Sequence, residues 1–208
     1  MDPDRPALFL SVQTDSGQED NEDEAMVVGR LVAEFFVRGL KGSEKTNDDK
    51  GLAVVCAHRV QNNLVRKEVT AAVEKLPARF RKSSKLALKD LVCDTVERIQ
   101  GQEREVIIVS LTGSDPDHLA LDWTFSHCPR RFNVSITRPR TKLIVIGSPS
   151  FFHFTPPTST ANGSSTPADD KRLAGVAKLK RWYLDRLTNN DVIEVPVDNL
   201  QEKSGRRT

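Results

Sequence analysis

Two polar, arginine-bearing stretches hold the residues in this chain best suited to phosphate chemistry. The first is Arg131-Phe-Asn-Val-Ser-Ile-Thr-Arg-Pro-Arg140, followed by an apolar run from Leu143 to Ile146. Asn133 to Thr137 is compatible with a short helix, and Pro139 holds the preceding Arg138 out of helical backbone. Arg138 is therefore expected at the junction between a helix and a buried strand. A guanidinium so placed can stabilise the charge that phosphoryl transfer develops on equatorial oxygens, an effect of roughly 10³–10⁵ in rate where it operates. Taken alone, Arg-x-Arg is an ordinary surface pair. The second stretch is Thr95-Val-Glu-Arg-Ile-Gln-Gly-Gln-Glu103, which leads into the apolar run Glu105 to Leu111. Gly101 permits a tight turn or close backbone approach. Gln100 and Glu103 offer hydrogen-bonding groups beside it.

The elements that must position these residues alternate. Ala7–Val12, Glu105–Leu111 and Leu143–Ile146 read as apolar strands, and Leu52–Cys56 as a strand of the fully buried type. Asn21, with Glu24 three residues on, reads as a capping box opening a helix whose apolar face is Ala25, Val28, Leu31, Val32, Phe35 and Phe36. A second helix is expected over Arg59–Leu76, ended by Pro77, with Val65, Val69, Ala72 and Leu76 inward. This alternation indicates an α/β fold with a mainly parallel sheet and helices on both faces. The domain is expected over residues 1–154. A linker rich in Thr, Ser and Pro follows at 155–168, then a helix and tail at 169–208. Thr166 and Pro167 fit the helix start, and Val176, Leu179, Tyr183 and Leu187 supply a stripe that can dock on the domain.

Composition excludes several classes. Net charge is +2, too small to imply nucleic-acid binding without a favourable distribution. Three dispersed cysteines, Cys56, Cys93 and Cys128, argue against a disulfide framework and for a reducing, intracellular compartment, cytoplasmic or nuclear. No metal-ligand spacing is found, and no run of about 18 apolar residues that would span a membrane. The basic run Lys75, Arg79, Arg81, Lys82, Lys85 and Lys89 reads first as a solvated helix face.

Taken together, the two stretches resemble motifs V and VI of superfamily-1B helicases, in the branch of RNA-surveillance and DNA-processing enzymes, relatives of the AAA-type P-loop NTPases. Motif VI there reads Arg-Leu-Asn-Val-Ala-x-Thr-Arg-Ala-Arg; Phe132, Ser135 and Pro139 are the departures here. Motif V reads Thr-Val-Asp-x-x-Gln-Gly-x-Glu, with Glu97 in place of the usual Asp. A weaker match is the strand leading to Ala57-His58-Arg-Val-Gln61, similar to a Thr-Pro-(Tyr/His)-x-x-Gln segment.

The resemblance implies a three-layer α/β/α RecA-like domain, the second of the two that close on ATP and Mg²⁺. It implies Arg138 as the finger on the γ-phosphate, with Gln100, Gly101, Glu103 and Arg140 as ATP-binding residues. Thr95 and His58 would contact single-stranded RNA or DNA. No Gly-x-x-x-x-Gly-Lys-(Ser/Thr) phosphate loop occurs in the 208 residues. A first RecA-like domain, in cis or in trans, is therefore the expected partner, and the chain alone is not expected to hydrolyse ATP. Asp23-Glu24-Ala25 imitates an acidic metal-binding box but follows an acidic loop, so helix capping is its expected role. The alternative function is a non-catalytic module that binds nucleic acid or another helicase.

Overall fold

The computed structural model describes residues 5–14, 16–39, 51–99, 101–156 and 167–196. Six strands form one sheet in the order β3-β2-β4-β5-β1-β6, and every pairing is parallel. They are β1 (Ala7–Val12), β2 (Leu52–Cys56), β3 (Val92–Thr95), β4 (Arg104–Ser110), β5 (Pro139–Gly147) and β6 (Val192–Val195). The central strands are covered on both faces, which is why they read as unbroken apolar runs: β2 is buried at every position. The two edge strands, β3 and β6, are only partly covered.

One face carries α1 (Glu22–Val37), α2 (Arg59–Glu74) and α3 (Ala78–Lys89). Val28, Val32 and Phe36 of α1 and Val65 and Val69 of α2 pack there on Leu10, Val54, Ile108 and Ile144. Gly29 allows the two helices to meet: a Cβ at that position would lie 2.8 Å from the backbone oxygen of Glu68. The other face carries α4 (Pro116–Ser126), α5 (Pro129–Ile136), α6 (Pro149–His153) and α7 (Pro167–Thr188). Its core is aromatic. Phe152 stacks on Tyr183 at 4.8 Å, and Phe9 meets both rings edge-on at 5.3 Å. The expected three-layer α/β/α arrangement is therefore present.

The link from β3 to β4 crosses β2 without a helix, where parallel strands usually need a dozen or more residues and a helix. The described part of this link buries Val96 and Ile99 against Ala53, Val55 and Ile107.

Several local expectations are refined. Asn21 caps α1, its side chain accepting from the Glu24 N–H at 3.0 Å. The reciprocal half of the capping box does not form, because the Asn21 N–H donates to Gln61 Oε1 at 2.8 Å. The second helix stops at Glu74, and Pro77 caps the start of α3 rather than merely ending α2. The basic run lies mostly on α3, where Lys85 pairs with Glu74 at 2.6 Å. Leu179 and Tyr183 dock α7 on the sheet, and β6 extends that sheet beyond β1. Residues 40–50, 157–166, the centre of the expected linker, and 197–208 lie outside the described residues.

Candidate functional site

The two motif stretches converge where β4 and β5 begin. Arg138 follows α5 directly, and its carbonyl accepts from the Arg104 N–H at 3.1 Å. Pro139 then opens β5 in register with Arg104. A proline is tolerated at the first position of a strand, so this departure from the motif fits the backbone. The Arg138 side chain is half-buried, and its Nε is buried without a hydrogen-bond partner. Such a donor costs about 1–3 kcal/mol unless an acceptor reaches it. Arg140 Nε donates to Glu103 Oε2 at 3.0 Å, an exposed pair. Gly101 stands just before, at φ +83°, a conformation that disfavours other residues. Gln100 lies outside the described residues. At this edge the structure thus brings together Gly101, Glu103, Arg138 and Arg140.

Thr95 and His58 lie at the opposite ends of the strands. Thr95 closes β3, paired with Cys56 at the end of β2, and is largely buried. His58 is the N-cap residue of α2 but makes no side-chain cap. Its ring lies 4.9 Å from that of Phe125, and its Nε2 is 3.8 Å from Asp122 Oδ2. Burial lowers the His58 pKa and raises that of Asp122, outweighing the attraction between them. Each group is thereby pushed toward its neutral form.

Arg131, which opens the motif VI stretch, ties this end together. It donates to the Ala57 carbonyl at 3.0 Å, pairs with Glu97 at 2.7 Å, and lies 3.7 Å from the centre of the Phe125 ring. Glu97, the residue replacing the usual Asp, is therefore an ion-pair partner of Arg131. Neither motif stretch reveals this pairing, because its two residues lie far apart in the chain. The period-two placing of Leu119, Leu121, Trp123 and Phe125 hid α4, which supplies this ring; of the four, only Leu119 is buried.

Glu24 belongs to a buried polar network at the ends of β2 and β4. Its carboxylate accepts from Ser110 Oγ at 2.6 Å and from the Thr112 N–H at 3.1 Å. Gln61 donates to Ser110 Oγ at 2.9 Å and to the Asn21 carbonyl at 3.2 Å. Gln61 thus does more than start α2: it clamps the beginning of α1 to β4. Burial raises the Glu24 pKa to about 7, against the pull of its donors. Among the described residues no group of three or more His, Cys, Asp or Glu could hold a metal ion. No helix among them is long and apolar enough to cross a membrane.

A parallel α/β/α domain whose arginine-bearing loops meet at one sheet edge is a RecA-like domain of the helicase-related kind. The chain belongs to the AAA domain family, which matches residues 2–150. It is similar to the mouse DNA replication ATP-dependent helicase/nuclease DNA2, 28% identical over 171 residues, 77% of this chain and 14% of that protein. It is also similar to the zebrafish putative helicase mov-10-B.1, 33% identical over 119 residues, 55% of this chain and 11% of that protein. The yeast DNA polymerase alpha-associated DNA helicase A is 27% identical over 148 residues, 69% of this chain and 19% of that protein. The chain spans less than a fifth of the length of each of these relatives.

Proposed function

We propose that this chain is the second motor domain of an ATP-dependent helicase and completes an ATP cleft whose other wall is a first RecA-like domain. The observation that carries the reading is the Arg138 guanidinium, held at the α5–β5 junction with a buried Nε that lacks an acceptor. A phosphoryl oxygen is the kind of acceptor that fits it. In this reading Arg138 donates to the γ-phosphoryl group as charge develops there. Glu103 orients Arg140 beside it, and Gly101 keeps the approach open. Bound ATP and Mg²⁺ would supply the phosphoryl group and its charge compensation, the metal being held from the first domain. Thr95, at the other end of β3, would touch the backbone of single-stranded RNA or DNA, a positioning contact.

The test is ATP hydrolysis after mixing this chain with a RecA-like domain that carries a phosphate loop. The mixture is expected to hydrolyse ATP, and Arg138→Ala to slow it by roughly 10³-fold or more. An unchanged rate in the variant removes Arg138 from the finger role. Helicase-like turnover by this chain alone refutes the reading altogether.

A further inference from the structure

We propose that the outer face of α7 is a docking surface for an acidic amphipathic helix of a partner protein. This face lies beyond the family match at 2–150 and does not rest on the motor reading. α7 carries two apolar faces. One holds Val176, Leu179 and Tyr183, which are buried, and Gly175, where a Cβ would meet Pro129 Cγ at 2.1 Å. The other holds Leu173, Ala177, Lys180, Leu184 and Leu187, all exposed, at successive spacings of 4, 3, 4 and 3 residues. That spacing is the seam by which one helix packs on another, whereas a solvated face carries polar residues there.

Leu173, Leu184 and Leu187 are 38%, 46% and 45% exposed, and Ile193 of β6, just after α7, is 41% exposed. A single exposed leucine is ordinary, but a row of them along about 21 Å of one helix marks a contact surface. Charge selects the occupant. Lys180 stands in the middle of the row with Lys178 and Arg181 beside it, and among the described residues none of the three has a carboxylate partner. Asp170 and Asp185 are the described acids of α7, and neither pairs with them. A helix with leucines at the same spacing and a glutamate opposite Lys180 covers the row and neutralises its centre. A symmetric pair of α7 helices using the whole row, parallel or antiparallel, would set Lys180 against its own copy, and like charges so placed repel. A membrane surface fits less well, because the row is narrow and Lys180 interrupts it.

The experiment titrates the 208-residue protein into a fluorescent synthetic peptide of about three heptads, read by anisotropy. The peptide has Leu at the a and d positions, one Glu among them set to face Lys180, and Glu at e and g. A second peptide carries Lys in place of every Glu. The acidic peptide is expected to bind saturably in the micromolar range, and the basic one roughly tenfold more weakly or worse. Leu184→Gln is expected to weaken the acidic peptide about tenfold, and Lys180→Glu to exchange the order of the two peptides. Leu173→Gln, at the other end of the row, serves where Leu184→Gln does not fold. The proposal is overturned if the acidic peptide gives no saturable change, if the two peptides bind alike, if Lys180→Glu leaves their order as it was, or if the leucine variants bind like the wild type. It is overturned in favour of a second copy if the protein sediments as a dimer that Leu184→Gln dissociates. It is overturned in favour of a membrane surface if vesicles of phosphatidylserine and phosphatidylcholine bind the protein while the acidic peptide does not. No nucleotide or strand is present, so failure here leaves the motor reading standing, and failure of that reading leaves this surface standing.

Discussion

Replacing Glu24 with Gln should abolish a specific slope in the stability of this protein against pH. The side chain is fully buried, and its oxygens accept from Ser110 and Thr112. Those donors favour the carboxylate, yet burial outweighs them and lifts the folded-state pKa to about 7 from an ordinary 4.5. Below pH 4.5 the group is protonated in both folded and unfolded chains, and its contribution to stability is fully present. As pH rises, the unfolded chain ionises first while the folded chain holds its proton. Stability is therefore lost progressively up to about pH 7 and is level above it. At ~1.36 kcal/mol per pH unit, the gap from 4.5 to about 7 corresponds to a loss of about 3 kcal/mol.

Glutamine has nearly the same volume and carries no charge. Its oxygen can take the Thr112 N–H, and its amide can donate to Ser110 Oγ, which has a second lone pair besides the one used by Gln61. The assay is urea unfolding of wild type and Glu24→Gln at several pH values from 4 to 8, compared as differences so that other titrating groups cancel. The variant should gain on the wild type steadily through that window, by about 3 kcal/mol at its upper end. A difference that stays constant from pH 4 to pH 8 refutes the reasoning. It would mean that the donors around Glu24 hold it ionised in the folded state at no net cost.

Three further outcomes follow from the packing. Gly29→Ala should destabilise by roughly 1–3 kcal/mol in urea unfolding, because the new Cβ would meet the Glu68 backbone at 2.8 Å and force α1 and α2 apart. Tyr183→Ala should cost about 3 kcal/mol or more in thermal unfolding, since the ring is buried between Phe9 and Phe152 and holds α7 to the sheet. Arg140→Ala should change stability by less than about 1 kcal/mol, because its pair with Glu103 is exposed. A larger loss by the same measurement would show that this pair fastens β4 to β5.

The parts of the fold legible in the sequence are those where one physical signal dominates. β1, β2, β4 and β5 are covered on both faces, so each had to be an apolar run, and α1 had to carry its stripe at helical spacing. Where coverage is partial the signal fades. β3 alternates between buried and half-buried positions, β6 is mostly exposed at the rim, and α4 buries only Leu119. None of these could be read from apolar patterning, because little of their surface needs to leave water.

The candidate site divides in the same way, for a different reason. The motif spacing placed Arg138, Glu103 and Arg140 beside the beginnings of strands, and the parallel pairing of β4 with β5 brings these residues to one edge. Thr95 belongs to the same stretch as Glu103, yet the two stand at opposite ends of the sheet. The cause is that β4 lies on the far side of β2 from β3, with Val96 and Ile99 anchoring the link. A linear motif records which residues are near in the chain but not that the chain traverses the sheet between them. Likewise, the bond from Gln61 to Ser110 and the pair of Arg131 with Glu97 join residues far apart in sequence, and their partners depend on strand order. Strand order is a property of the whole chain's packing, and no window of the sequence contains it.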